Sequence, residues 1–479
     1  MEDYRERPAA ELSQWGQPDR ERIDRLFAKE YQDFHRKVVV LDDDPTGVQT
    51  VHGVSVYTDW SAESIREGLE EENQEFFILT NSRSLSKEDT VKVHRELATR
   101  LSGEAERLRK EVLVISRGDS TLRGHFLLEP ETLRETLEEE TGKKMDGWIL
   151  CPFFKEGGRY TIDSVHYVKE GERLVPAAQT EFAEDGTFGF GHSHLGEYLE
   201  EKSGGRIRRE DCVSVTLKQL RGLELESITQ TLCRAGGFLP ILVDAIDETD
   251  VKVFSIALMR AIKEGKKFLI RSAAAFPKVM GNIGSRPLLS RAELIDEDSE
   301  IGGLVVVGSH VRKTTMQLEQ LKTCSVPPEF VEFHVDTVMK AGGLQKEAER
   351  VREKAQDIMR KGRTAVIYTS RNVLMPKEVS REELLRISVE ISAELTGIVA
   401  RLEVKPRYLI AKGGITSSDV GTKGLRVRRA QVLGQVRPGI PVWKTGAEST
   451  FPGMSYMIFP GNVGEEDTLK QIVEMLEDR

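Results

Sequence analysis

The stretch KVVVLDDDPTG, residues 37–47, decides the reading of the fold. A short β-branched apolar run gives way at once to acidic and turn-forming residues, the form of a strand buried on both faces that ends in a polar loop. The same succession recurs at EFFILT (75–80), EVLVIS (111–116), GWILC (147–151), FLPILVD (238–244), KFLI (267–270), GLVVVG (303–308), RTAVIYT (363–369) and RYLIA (407–411). Between these runs lie charged stretches such as LQKEAERVREKAQDIMRKG (344–362), whose apolar residues return at three- and four-residue spacing, as in amphipathic helices. The alternation predicts an α/β fold of two lobes, each with a largely parallel sheet flanked by helices, and a ligand site in the cleft between them. GSRPLLSRAELIDEDSEIGG (284–303) reads as the linker and hinge. The expected division is therefore a charged helical extension at 1–36, one domain at 37–285 and a second at 300–479. The extension is expected to pack on the body or on a partner subunit. Residues 171–211 carry little strand periodicity and read as a long functional loop or a small subdomain.

In parallel sheets ligands bind beyond the carboxyl ends of the strands, so the loop after each apolar run matters most. In the first half these loops are Asp42-Asp43-Asp44-Pro45-Thr46-Gly47, Asn81-Ser82-Arg83-Ser84, Arg117-Gly118-Asp119-Ser120-Thr121-Leu122-Arg123-Gly124 and a fourth that includes Gly158-Arg159. Each alone has an ordinary reading, since Asp-Pro-Thr-Gly forms turns and Asp-Ser-Thr caps helices. Together they converge arginine forks suited to a carboxylate with carboxylates and hydroxyls suited to sugar hydroxyls, which fits a small polyhydroxy acid. The second half differs. Gly308-Ser309-His310, Gly413-Gly414-Ile415-Thr416-Ser417 and Gly461-Asn462-Val463-Gly464 place glycines at strand-to-helix turns, where backbone can approach a phosphate closely. These turns read as a nucleotide site, or as tight turns alone.

Composition excludes several classes. The 479 residues carry 69 Lys and Arg against 79 Asp and Glu, a net charge of −10, which argues against a general nucleic-acid binder. No apolar run is long enough for a membrane span, and the polar N-terminus lacks a signal pattern, so a cytoplasmic protein is expected. The four cysteines are scattered and read as reduced, mostly buried thiols rather than a disulfide or zinc framework. There is no G-x-x-x-x-G-K-[ST], no G-x-G-x-x-G after a strand, no H-E-x-x-H and no G-x-S-x-G. Ser84-Leu85-Ser86-Lys87 reads as a helix start, and His192 with His194 as a solvated loop rather than a metal pair.

The motifs, in this order, resemble those of the four-carbon acid sugar kinases, a family once known as a domain of unknown function. The resemblance runs from about Lys37 to Gly464. It rests on a D-D-x-T-G motif at Asp43–Gly47, a D-S-T-x-R-G motif at Asp119–Gly124, and the three glycine-rich turns of the second half. The sequence departs from the family at Ile415, where an acidic residue is common, and at Pro45, where an aromatic one is. The resemblance implies an ATP- and Mg2+-dependent kinase acting on a primary hydroxyl of threonate, erythronate, 3-oxotetronate or 3-oxoisoapionate. It implies Asp44 and Asp119 as catalytic candidates, and Asp43, Thr46, Arg83, Ser120, Arg123, Gly158 and Arg159 as substrate-binding. Ser309, Gly413, Gly414, Thr416, Gly461 and Asn462 would bind the nucleotide; the metal ligands stay unassigned. The expected partners are the small sugar acid and a second copy of the chain, with neither nucleic acid nor membrane. A non-catalytic acid-sugar sensor and an atypical nucleotide-dependent oxidoreductase are the alternatives.

Overall fold

The computed structural model describes residues 4–371 and 381–478, with no side chains described for 381–385. The chain divides into two compact units, the first holding residues 1–47 and 59–284, the second 48–58 and 285–479.

In the first unit the apolar runs become β1 (Lys37–Asp42), β2 (Glu75–Leu79), β3 (Val112–Arg117) and β4 (Gly147–Cys151). An antiparallel hairpin series comes next: β5 (Arg159–Ile162), β6 (Val165–Glu170) and β7 (Arg173–Pro176). The main sheet is completed by β8 (Val213–Val215), β9 (Leu239–Val243) and β10 (Phe268–Ser272). Its order is β8-β9-β4-β10-β3-β1-β2, and every pairing is parallel. Val38, Val39 and Val40 are fully buried, as expected of a central parallel strand covered on both faces. Each such side chain contributes roughly 1.5–3 kcal/mol.

Helices supply the cover. Within residues 1–36, α1 (Arg20–Gln32) buries Ile23 and Phe27 and is tied to α2 (Glu248–Lys263) by Arg260 Nε donating to Glu30 Oε1 at 2.8 Å. Asp247 and Asp250 form a capping box at the start of α2. Ser86 caps the 22-residue helix Lys87–Leu108, so the Ser84–Lys87 stretch does begin a helix. Residues 171–211 are not a bare loop: they hold β7, three 3-10 turns, and α3 (Leu195–Ser203) capped by His194. His194 is thus a nearly buried cap accepting from Gly196 N, not a solvated loop residue, while His192 pairs with Glu201 at 2.7 Å. All four cysteines are free, but only Cys151 and Cys324 are buried; Cys212 and Cys233 are half-buried, because both lie outside the sheet core.

The second unit contains β11 (Leu304–Val307), β12 (Glu329–Phe333), β13 (Ala365–Thr369), β14 (Leu409–Lys412), β15 (Arg429–Arg437), β16 (Ile440–Thr445) and β17 (Ser455–Phe459). Five strands run parallel in the order β17-β14-β11-β13-β12, and β16 and β15 extend the sheet antiparallel from β17. The outer edge of β15 pairs with the short strand Ser55–Tyr57, drawn from the early segment 48–58.

Candidate functional site

The strand register builds the first cluster. Asp42 at the end of β1 lies opposite Arg117 of β3 and Leu79 of β2, and Arg117 lies opposite Ser272 of β10, so the loops beyond them leave from one line. Arg117, nearly fully buried, reaches Asp42 Oδ1 at 3.2 Å and Asp43 Oδ1 at 3.6 Å. Burial pushes the Asp42 carboxyl up to about 7 despite Arg117, with Asp43 and Asp44 adding to the rise. Gly47 is glycine for a steric reason: a Cβ there would lie 2.0 Å from Asp42 Oδ2.

Asp44 and Asp119 stand in matching turns. Asp44 Oδ1 accepts from both the backbone N and the hydroxyl of Thr46, and Asp119 Oδ2 accepts likewise from Thr121. Their surroundings then differ. Asp119 also takes Arg123 Nε at 2.8 Å, Arg123 NH2 at 3.3 Å and Arg83 NH1 at 3.6 Å, whereas among the described residues Asp44 Oδ2 meets only Arg83 NH2 at 3.5 Å. Burial raises both carboxyls, but Arg83 and the threonine bonds outweigh it and leave both below the usual range; Arg123 adds to this at Asp119. Arg83 is held between Asp43 (2.8 Å), Asp44 and Asp119, which keep its guanidinium well above its ordinary value against burial.

The loop 119–124 is conformationally demanding. Leu122 takes φ +66 and Gly124 φ +110. Two neighbours hold it: Tyr198 of α3 donates to Leu122 O at 2.6 Å, and His166 of β6 contacts Ser120 O at 2.7 Å. Burial lowers His166 to about 4, so the ring is neutral; Nε2–H donates to that carbonyl and Nδ1 accepts from Thr161. Beneath the loop, Glu129 and Arg271 form a buried pair that Ser82 and Ser116 complete. Gly118 leaves room for that arginine, since a Cβ there would sit 2.2 Å from Arg271 NH2.

Gly158, at φ +74, turns the chain into β5 and delivers Arg159. Arg159 NH1 donates to Gly157 O; its Nε is buried without a partner, and no ion pair is found for it among the described residues. Burial lowers its guanidinium, Asp119 opposing and Arg123 adding. The carbon at the centre of its guanidinium lies 5.0 Å from the centroid of Phe182, and that of Arg123 lies at the same distance. The first unit therefore brings together Asp43, Asp44, Thr46, Arg83, Asp119, Ser120, Arg123, Gly158 and Arg159. Sequence reasoning had no role for Arg117, Arg271, Glu129 or Phe182. Arg117 and Arg271 were signalled, if at all, by charge at the end of an apolar run.

In the second unit the register sets Val307, Lys412 and Phe459 side by side, so the three glycine-rich turns leave adjacent strands at one level. Gly308 and Gly413 are packed against Thr416 Oγ1, which a Cβ at Gly308 would meet at 2.2 Å; Gly413 takes φ +125. Ser309 Oγ accepts from Thr314 Oγ1 at 3.1 Å and would lie 3.3 Å from a Cβ at Gly461. Gly414 borders open space, and Asn462 is exposed at the last turn. Lys412, absent from the sequence-derived set, is fully buried and donates from Nζ to Pro460 O and Gly461 O at 2.7 and 3.1 Å. Burial, with Lys313, pushes it down to about 7. Backbone that only glycine allows, an open approach at Gly414 and a buried amine under the last turn fit a phosphate-bearing ligand. No group of three or more metal-ligating side chains occurs among the described residues, and no described helix is long and apolar enough to cross a membrane.

A family model described as a sugar-binding N-terminal domain matches residues 38–280, just over half of the chain, and one described as a nucleotide-binding C-terminal domain matches residues 304–469. Among solved structures, a Salmonella typhimurium LT2 protein with a provisional tRNA synthase description aligns with a TM-score of 0.65 at 15% identity, over 92% of this chain and 98% of its own. Haemophilus influenzae protein HI1011, of the DUF1537 family, aligns with a TM-score of 0.60 at 16% identity, over 91% and 99%. At these identities the likeness is one of fold: a two-domain fold related to DUF1537 proteins. No curated protein matches.

Proposed function

We propose, for a chain that belongs to the family of the sugar-binding N-terminal domain and matches a nucleotide-binding C-terminal domain behind it, the activity of an ATP-dependent kinase. Its acceptor is a primary hydroxyl of a short sugar acid, of four carbons or branched five. When bound, ATP with Mg2+ supplies the phosphoryl group and the charge that offsets its phosphates.

The observation that carries this reading is the unequal engagement of two similar carboxylates. Asp119 is occupied on both oxygens, while Asp44 is anchored through Oδ1 and leaves Oδ2 with one distant guanidinium contact. Asp44 is accordingly the base that accepts the proton as the acceptor oxygen bonds to phosphorus and the bond to ADP breaks. Asp119 holds Arg123, and Arg83 keeps three carboxylates from repelling one another. Arg159, which pairs with no carboxylate among the described residues, takes the carboxylate of the substrate, with Arg123 NH1, only loosely approached by Asp185 at 3.8 Å, beside it. Ser309, Gly413, Gly414, Thr416, Gly461 and Asn462 form the phosphate cradle, with Lys412 fixing the Gly461 turn from below.

The test is ADP release with Mg2+ and ATP over a panel of four-carbon acids, their 3-oxo derivatives and branched five-carbon analogues. One acid is expected to turn over, and Asp44→Asn should lower kcat by about 10²–10⁴ with ATP binding unchanged. Full kcat in Asp44→Asn would remove Asp44 as the base. ATP binding without turnover on any acid would replace the kinase reading with the sensor.

A further inference from the structure

Arginines in the first unit fall into two groups. Arg83, Arg117 and Arg123 are ion-paired with carboxylates, and Arg271 is locked to Glu129 and Ser116, although Arg117 Nε and Arg271 NH2 are buried without a partner. Arg159 is different, because among the described residues no carboxylate pairs with it directly, although Asp119 and Glu170 act on it through space, and its guanidinium meets the Gly157 carbonyl and the ring of Phe182. The same ring lies against Arg123.

A carboxylate and an aromatic face support a guanidinium in different ways. A carboxylate takes up the in-plane N–H fork and would compete with any incoming acid. A ring face attracts the cation through its quadrupole and leaves the in-plane donors unspent. One ring beside two guanidinium groups also offsets their mutual repulsion, which burial strengthens.

Phe182 is held for this task. It sits on the 3-10 turn Glu181–Glu184, and the loop behind it closes through Gly189 N to Asp185 O at 2.8 Å and Phe190 N to Ala183 O at 3.1 Å. Asp185 accepts from the backbone of Thr187 and Phe188, both at 2.9 Å, and its other oxygen approaches Arg123 NH1 at 3.8 Å. Phe188 rests edge-on against His125.

We infer that Phe182 is a positioning residue that braces Arg159, with in-plane donors left free for the carboxylate of a small hydroxy acid, beside an Arg123 already oriented by Asp119, and so sets the selectivity of the site for acids over neutral polyols. The inference rests on the sugar-acid reading proposed above.

Phe182→Leu, which keeps apolar bulk and removes the ring, is compared with Phe182→Tyr in the full chain. With the acid that turns over, Phe182→Leu should raise its KM about tenfold while kcat and the KM for ATP stay within about twofold, and Phe182→Tyr should restore the wild-type KM. Calorimetry without nucleotide, using D-threonate and D-erythronate as probes, should show the same contrast, and competition by threitol, which lacks the carboxylate, should not change. A wild-type acid KM in Phe182→Leu, or equal loss in Phe182→Tyr, overturns the brace while leaving the kinase reading intact. Acid binding that weakens about tenfold in Phe182→Leu, in a chain that releases no ADP, upholds the brace and removes the kinase. Failure of both probes and of every panel acid to bind the wild-type chain overturns both.

Discussion

Gly47 illustrates how much of the site is set by what a residue lacks. Its missing side chain is the space in which the Asp42 carboxylate stands, and Asp42 in turn engages Arg117. Gly47→Ala must push that carboxylate aside, and overpacking of this kind costs about 1–3 kcal/mol. Thermal unfolding should record the loss, and adding Asp42→Ala should recover part of it, since the obstacle goes with the carboxylate. Asp42→Asn, equal in shape, should recover none. A Gly47→Ala variant as stable as the wild type would show that the loop yields freely. The motif glycine was visible in the sequence, but its reason was not, because the carboxylate it accommodates lies five residues earlier and is brought back by the turn.

At the scale of the element, the apolar runs announced the central strands almost to the residue, KVVVL becoming Lys37–Asp42 and EFFILT becoming Glu75–Leu79. Strands outside that rule went unread. Arg429–Arg437 alternates buried and exposed positions, and Glu329–Phe333 is a half-buried strand at the end of its sheet, so neither forms a continuous apolar run. Loops that converge on the acidic cluster were legible because strand order carries them to one end. Phe182 was not, since its value depends on where a loop packs. The other end of β2 holds a cost the sequence did not disclose. Glu75 is nearly fully buried, neither carboxylate oxygen has a hydrogen-bond partner among the described residues, and it lies close to Gly281 and in the field of Tyr31 of α1. Burial pushes it well above the usual range, so the native chain keeps a proton that the unfolded chain loses near pH 4.5. The unfolded state therefore binds fewer protons above that pH, and stability falls as pH rises toward the raised native value. Glu75→Gln should raise the melting temperature of the first unit at pH 7, with the gain shrinking toward pH 4. Calorimetric scans at the two pH values check this; an equal gain at both would assign the effect to packing.

Over the whole molecule, the division into units does not follow the chain in two successive halves. Residues 48–58 leave the first unit directly after the Asp43–Gly47 motif and supply the Ser55–Tyr57 strand to the second. Val56 and Tyr57 are buried there, and Arg429 donates to Ser55 Oγ at 3.2 and 3.1 Å. A fragment of residues 285–479 would carry the whole nucleotide-binding match yet leave the backbone edge of β15 at Arg429–Gln431 unpaired, a template for association. It should elute as aggregate in size-exclusion chromatography, and joining residues 48–58 to it should restore a monodisperse species that binds ATP. A monodisperse, ATP-binding 285–479 fragment would show that the borrowed strand is dispensable.

That borrowed strand also sets a schedule for synthesis. Ser55 leaves the ribosome 374 residues before Arg429, and at about 5–20 residues per second its partner edge arrives roughly 20–75 s later. For that interval a β-prone segment stands without its β15 partner beside the newly made acidic motif. Translational pausing in the second half of the message would lengthen the wait, making codon choice far downstream a determinant of how cleanly the first fifty or so residues fold.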